Sequence, residues 1–581
     1  MADFIHIRIF STRLNKVFRS HHFGWIPGFL VIVLAMNICS LEARQSGQEA
    51  RVDALFEPLD SETTPGCAVS VMQGGEILYK NGYGMANLEY GIEITPETIF
   101  HVASVSKQFT AMAVQLLVNK GEVSWDDDIR KYLPEVPDYG HTITLRQLAH
   151  HVSGVRDQWS LLMQAGWRWE SDVVTQKDVL DITSRQKALN FEPGTRHLYS
   201  NTGYTLLGVV VERVSGQSLR EFTTEHIFEP LGMENTHFQD DHRRIVQNRA
   251  WAYEPHREGE YGLRNSVPVF DVVGASSLFT TVEDIAAWDR NMYSGEVGGT
   301  DGIEQLHQPY EMNSGESTTY ALGIIRGEHR GLETYGHGGA DAGYRSQYLR
   351  IPDHEFGVSV FCNDPRVSPN ALARRVADIY LGEHTEATRS RSSRNQGSDS
   401  DGRLSPDEMQ NLEGIYVAQP GDRTMKVSFE NNRLKLDVGP GVPLVPLGND
   451  LYTVGRSDMQ MEIKPGDKTG SGNAELRFTN RNDPDIYTRY DAWLPDEEDL
   501  KEFTGIYHST ELGTDYKFNI ENGRLRFHHR KLESRTLTPV FPDAFHLQGR
   551  ILTFTRDDRG NVDGFRVSDS RVWGVEFEKT E

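Results

Sequence analysis

The chain has 581 residues, too many for one hydrophobic core, so two to four domains are expected. Its formal net charge of −24, from 84 acidic against 60 basic residues, argues against a nucleic-acid partner, whose phosphates require a basic face. Three cysteines, Cys39, Cys67 and Cys362, with no C-x-x-C spacing, exclude a disulfide scaffold and a zinc module.

In chain order, Arg8, Arg13, Lys16 and Arg19 precede an apolar run from Trp25 to Cys39, followed by small residues at Ser40 and Ala43. That pattern reads as a signal peptide over 1–43, or as an uncleaved anchor, and predicts an exported, periplasmic or extracellular protein, or one held to a membrane only through this segment. Cys67 and Cys362 either close a bridge in an exported chain or stay as two buried thiols. "QEARVDALFEPL" predicts an amphipathic helix. "GCAVSVMQGGEILYKNGYG" predicts a hairpin with a Gln-Gly-Gly turn. Helical patterns run from Ser104 to Met233, and strand patterns return from about Thr334 in "TYGHGG", "YRSQYLRI" and "FGVSVFC", closed by the helix "PNALARRVADIYLGE". This order predicts an α+β domain over 44–385, a mostly antiparallel sheet with flanking helices and a helical subdomain. A polar Ser/Arg/Asp-rich stretch over 386–405 reads as a linker.

The remainder repeats at an offset of 91 residues. "LEGIY" ends at Tyr416 and "FTGIY" at Tyr507; "ENNRLKL" starts at Glu430 and "ENGRLRF" at Glu521. Alternating strands with Asn-Asn and Asn-Gly turns predict two small all-β barrels, over 406–493 and 494–581, neither carrying an obvious catalytic cluster.

The chemistry concentrates at "FHVASVSKQFTAMAVQLL". Phe109, Met112, Ala113, Leu116 and Leu117 form one helical face, so the helix is buried, with Ser104 at its start and Lys107 one turn on. A lysine desolvated there loses proton affinity and can take a serine proton. The same residues also suit a helix cap and a solvated lysine, and Ser184–Lys187 repeats the spacing. In "HLYSNTGY", Tyr199 and Asn201, two apart in an extended segment, point the same way: a proton relay and a grip on an amide carbonyl. Tyr79–Asn81 repeats this pattern in the first hairpin. In "TYGHGGADAGYRS", His337, Gly338 and Gly339 end a strand where glycines let a substrate approach the backbone. Asp341 and Arg345 suit a substrate ammonium and a carboxylate, or strand-end geometry. His150 and His151 read as packing and turn residues, and neither a metal nor a cofactor is expected.

Taken together these motifs resemble those of the penicillin-recognising serine hydrolases: class C β-lactamases, D-Ala carboxypeptidases, D-aminopeptidases and related esterases. S-x-x-K, Y-x-N and the H-x-G strand occur in order at Ser104, Tyr199 and His337, and "LRQLAHHVSG", "FEPGTRHLYSNTGY", "LGM" and "FTTVEDIAAWDRN" are similar to family segments. The resemblance implies a β-lactamase/transpeptidase-like fold, Ser104 as nucleophile, Lys107 and Tyr199 sharing general-base work, Asn201 orienting the substrate, and an oxyanion hole from the Ser104 and Ala340 backbone N–H groups. It implies an acyl-enzyme acting on a small-molecule or peptide substrate, of cell-wall origin or not: a D-residue amide or an ester. A true β-lactamase, and a non-catalytic binding protein that keeps the shell, are the alternatives. His-Gly-Gly replaces the Lys-Thr-Gly of β-lactamases, which weakens the β-lactamase expectation. With two trailing lipocalin-like barrels it resembles three-domain D-aminopeptidases, in which a barrel loop reaches the active site. Here the K-T-G at Lys468–Gly470 is a candidate for such a loop, or a simple hairpin turn.

Overall fold

The computed structural model describes residues 46–169, 171–258, 262–392, 404–418, 424–436, 441–448, 450–455, 460–466, 473–478, 486–490 and 493–581. The apolar run Trp25–Cys39 and the K-T-G at Lys468–Gly470 lie outside these residues. Among the described residues no helix is long and apolar enough to cross a membrane. Residues 46–56 form the helix expected there.

From Leu59 onward the chain is one compact unit. Its frame is a six-stranded antiparallel sheet of β1 (Cys67–Gln73), β2 (Glu76–Tyr83), β3 (Ile325–His329), β4 (Leu332–Asp341), β5 (Tyr344–Ile351) and β6 (Phe356–Cys362), in the order β3-β4-β5-β6-β1-β2. The predicted Gln-Gly-Gly turn joins β1 to β2, with Gly74 and Gly75 both at positive φ, as a tight hairpin requires. β1 and β6 are wholly buried save for Gln73, which explains their unbroken apolar reading. They pair with Cys67 opposite Cys362, and the two sulfurs are bonded, so the bridge is formed.

A helical layer covers the sheet. α1 (Lys107–Asn119) is buried along nearly its whole length and packs against α3 (Asn201–Ser215), while α2 (Gln158–Gln164) lies between them in sequence. α3 ends at Gly216, whose φ of 73° supplies the left-handed stop. α4 (Pro369–Ser392) packs on β5 and β6; it runs into the stretch that composition reads as linker, because a helix already nucleated on the sheet extends through polar residues at little cost.

Two β units follow. Eight strands from Gly414–Ala418 to Ile486–Tyr490 close into a barrel. Nine strands form the second sheet, whose two edge strands, Arg535–Thr536 and Thr538–Phe541, are separated in the chain by Leu537 alone, so this barrel is nearly closed. The internal repeat is physical. Tyr416 donates its hydroxyl to the Leu412 carbonyl at 2.8 Å, and Tyr507 makes the same bond to Phe503 at 3.0 Å. Asn431–Asn432 and Asn522–Gly523 each turn a hairpin at positive φ.

The second barrel shares a core with the hydrolase part. Leu161, Leu162, Val179 and Ile182 pack in one cluster with Tyr516, Phe518, Phe565 and Phe577. At its rim Arg156 and Glu511, 3 % and 1 % exposed, form a buried ion pair at 2.6 Å. Glu511 is further satisfied by the Lys187 and Glu576 backbone N–H groups, and Arg156 by Gln186 and the Trp573 carbonyl. Arg156 Nε alone is buried without a partner, and a buried pair held by so many bonds fixes orientation more than it adds net stability.

Candidate active site

From Thr98 to Gln115 every residue is buried except Ser104. It stands in a 3-10 turn, Ala103–Ser106, that runs directly into α1. Ala103, just before it, has φ 47°, a left-handed conformation costly for a residue with a side chain. No serine side chain caps this helix. Ser106 instead bonds the Ala103 carbonyl and takes the Leu278 N–H, tying the turn to the core. The cap reading of Ser104 therefore fails, and its partly exposed hydroxyl is left for chemistry.

Lys107 lies one turn on and is fully buried. Its Nζ is 3.1 Å from Ser104 Oγ, 3.0 Å from Asn201 Oδ1 and 2.7 Å from the Ala275 carbonyl. Burial lowers its pKa well below the ordinary lysine range; the Arg571 cation pushes the same way, while Asp157 and Asp341 oppose. Asn201 is oriented by Asp157, whose Oδ2 accepts both the Asn201 backbone N–H and its Nδ2 at 2.8 Å. Since Nδ2 must donate to the carboxylate, Oδ1 faces Lys107. Two of the amine's three neighbours are thus pure acceptors. They use both N–H groups of a neutral amine and leave its lone pair for the Ser104 hydroxyl.

Tyr199 leads into α3, with Ser200 as the extended N-cap and Asn201 the first helical residue, so the pair shares a site across a helix start rather than along a strand. Lys107 Nζ stands 4.8 Å from the Tyr199 ring centroid. The Tyr199 hydroxyl is buried and faces the Ser104 hydroxyl. Burial raises its pKa above the ordinary phenol value, with the Ser104 hydroxyl and the Arg571 cation pulling against it. It is a protonated phenol, able to give a proton.

His337, on β4, is buried with its ring 6.2 Å from that of Tyr199. Its Nδ1 is 2.6 Å from the Gly338 carbonyl and its Nε2 2.9 Å from the Tyr320 hydroxyl. A carbonyl only accepts, so Nδ1 carries the proton and Nε2 accepts from Tyr320. Burial, with the Lys107 charge, lowers its pKa to about 3, so the ring is neutral and fully engaged within the protein. Gly339 is a glycine for a reason other than substrate access: a Cβ there would lie 2.2 Å from both the Val102 carbonyl and Ser346 Oγ. β4 is thereby pressed against the turn that carries Ser104. At Gly338 a Cβ would meet the Gln347 side chain at 3.1 Å and touch the Ser346 carbonyl at an ordinary 3.6 Å.

Other expectations resolve locally. Asp341 pairs with His101 at 2.9 Å. Arg345 donates to the Ala342 and Tyr344 carbonyls. His151 takes the Ser200 N–H on Nδ1 and packs on Tyr199 at 4.2 Å, and His150 lies between the Arg146 and Gln308 carbonyls. The repeated motifs sit elsewhere: Ser184 bonds the Asp181 carbonyl, and Tyr79 bonds Tyr83 within β2. Asp157, Tyr320 and Arg571 were not singled out from sequence. Asp157 carries a signal, since it caps α2 by accepting from Trp159 and Ser160. Arg571 carries none. It arrives on the turn 569–574 of the second barrel, so a barrel loop does reach this site.

The Beta-lactamase family model matches residues 52–381. Penicillin-binding protein 4* of Bacillus subtilis (strain 168) is 26% identical over 414 residues, 68% of this chain and 88% of that protein. A D-aminopeptidase of Gluconobacter oxydans (strain 621H) is 29% identical over 343 residues, 59% of this chain and 64% of that protein, so the match spans less than two thirds of it. Among solved structures, the octameric penicillin-binding protein homologue from Pyrococcus abyssi aligns with a TM-score of 0.53 at 24% identity, over 76% of this chain and 99% of that one, a likeness of fold.

Proposed function

We propose, starting from the fact that this chain belongs to the Beta-lactamase family and is a serine hydrolase, that it cleaves an amide or ester of a D-residue-containing peptide through an acyl-enzyme on Ser104. The observation that carries this reading is the placement of Lys107 Nζ, 3.1 Å from Ser104 Oγ and within hydrogen-bond reach of two pure acceptors, the Asn201 Oδ1 and the Ala275 carbonyl. Ser104 Oγ adds to the scissile carbonyl carbon as its proton passes to Lys107. The oxyanion forms against the Ser104 and Ala340 N–H groups, and one such donor contributes about 3 kcal/mol. As the C–N or C–O bond breaks, the proton returns through Lys107 and Tyr199 to the leaving group. Water then enters by the reverse relay and releases the acid. Asn201 serves this scheme chiefly by holding Lys107, with one amide hydrogen left for substrate. His337, braced by Tyr320, keeps its strand against the nucleophile turn.

The substrate class rests on the D-aminopeptidase relatives and on the absence of Lys-Thr-Gly on β4. An exported location is supported by the Cys67–Cys362 bridge and the basic, then apolar, N-terminus. The test is a labelled active-site-directed phosphonate, with a panel of D-amino acid amides, D-Ala-D-Ala peptides, short esters and nitrocefin. An adduct on Ser104, and loss of turnover in Ser104→Ala, are expected; nitrocefin turnover is expected to be weak or nil. Undiminished turnover in Ser104→Ala removes the proposal.

A further inference from the structure

The turn 569–574 joins two strands of the second barrel, β7 (Val562–Ser568) and β8 (Val575–Lys579), and it is pinned at both ends. Asp569 Oδ1 accepts the Arg571 and Val572 N–H groups, and its Oδ2 takes Gln164 Nε2 of the hydrolase part. Asn190 bonds the Arg571 carbonyl at 2.9 Å and the Trp573 N–H at 2.8 Å. Arg156 holds the carbonyls of Trp573 and Gly574. The backbone that carries Arg571 is therefore fixed, while the guanidinium is not spent. Its side chain is 42 % exposed, its centre stands 5.0 Å from the Tyr199 ring centroid, and Nη1 is 3.9 Å from Asp157 Oδ2, beyond hydrogen-bond length. Among the described residues its five N–H donors make no hydrogen bond. Three other cationic or basic groups nearby are committed: Lys107 to Ser104, Asn201 and Ala275, His337 to Gly338 and Tyr320, Arg345 to two carbonyls.

From this we infer that Arg571 is a specificity-determining residue: the second barrel supplies the cation that binds a carboxylate of the substrate close to the scissile bond. A planar guanidinium held in place with free donors suits bidentate capture of a carboxylate. On a chain of net charge −24, an anionic substrate needs such a local cation. The inference rests on the acyl-enzyme reading above and narrows its substrate class to carboxylate-bearing peptides or esters, rather than free-ammonium amides.

Two matched pairs test it. Acetyl-D-Ala-D-Ala against its C-terminal amide places the charge on the leaving side; the mono-p-nitrophenyl ester of succinate against p-nitrophenyl butyrate places it on the acyl side. In the wild type, kcat/KM for the anionic member is expected to exceed that of its neutral partner by about tenfold or more in at least one pair. Arg571→Ala should lower that anion-to-neutral ratio by about tenfold or more, Arg571→Lys should keep part of it, and Arg571→Glu should invert it. Because each ratio is taken within one variant, loss of folded enzyme cancels, and a merely structural role for Arg571 would not move it. No anionic preference in the wild type, or ratios unchanged in Arg571→Ala and Arg571→Glu, overturns the inference while leaving Ser104-dependent turnover standing. Turnover of all four compounds that is independent of Ser104, or no turnover at all, removes the acyl-enzyme reading and this inference with it.

Discussion

Asp157→Asn tests how the site holds its amine. The carboxylate is 1 % exposed and receives four N–H donors: Trp159 and Ser160 on Oδ1, the Asn201 backbone and side chain on Oδ2. An asparagine keeps one oxygen and turns the other into a donor. Whichever way its amide is oriented, two N–H groups then face a donor. A hydrogen bond to a charged acceptor contributes about 1.5–3 kcal/mol, so two lost bonds reduce the unfolding free energy by about 3 kcal/mol or more. Asn201 must turn or withdraw, and Lys107 loses the acceptor at 3.0 Å that fixes one of its hydrogens. If about 2 kcal/mol of that loss is felt in the transition state, kcat falls about 30-fold. The pH profile moves in a distinctive direction. Asp157 is one of two carboxylates that favour the ammonium form of Lys107, so its neutralisation lowers the lysine pKa further. The reaction needs the neutral amine. The acid limb of kcat/KM should therefore shift to lower pH while the plateau drops. Steady-state kinetics across pH, with a denaturant titration alongside, reads both. A plateau within about threefold of the wild type, or an acid limb displaced to higher pH, refutes the assignment of Asp157 as the residue that positions Asn201 and Lys107.

Three further outcomes are expected. Glu511→Gln breaks the buried pair with Arg156 and should cost about 3–5 kcal/mol at the barrel contact, seen as earlier proteolysis of the C-terminal region and a reduced kcat. Gly339→Ala puts a methyl group 2.2 Å from the Val102 carbonyl and should abolish Ser104 labelling by a phosphonate, while Gly338→Ala, whose tightest neighbour is a movable Gln347 side chain, should retain labelling. Reduction of Cys67–Cys362, which closes a loop of 295 residues, should lower the unfolding midpoint by an amount worth about 3–5 kcal/mol; an unchanged midpoint would refute a stabilising role for the bridge.

Much of the fold was legible because its signals are local. The large apolar residues of α1 repeat at helical spacing, the first hairpin announces its glycine turn, and the barrels betray themselves by recurring at one offset. Ser104 and Lys107 are three residues apart, and Tyr199 and Asn201 two, so short spacings sufficed to bring them under suspicion. What sequence concealed is long-range. Arg571 meets Tyr199 across several hundred residues, and Glu511 meets Arg156 likewise; a single ion pair has no periodicity to reveal it. His337 was legible as a strand-end residue, but only packing shows both of its nitrogens engaged and the ring held neutral. Asn201 read as a grip on an amide carbonyl; what sequence did not show is that its oxygen also holds the lysine beside it.

The contact between the 569–574 turn and Tyr199 bears on the order of events during synthesis. A chain emerges N-terminus first, so Ser104, Lys107 and Tyr199 are made long before the residue that sets part of the electrostatic balance around them. Until that turn is made, the lysine lacks the neighbouring cation that helps strip it of a proton. The amine is thus tuned by a late-made residue, and without that residue a higher pH is needed to free it of its proton.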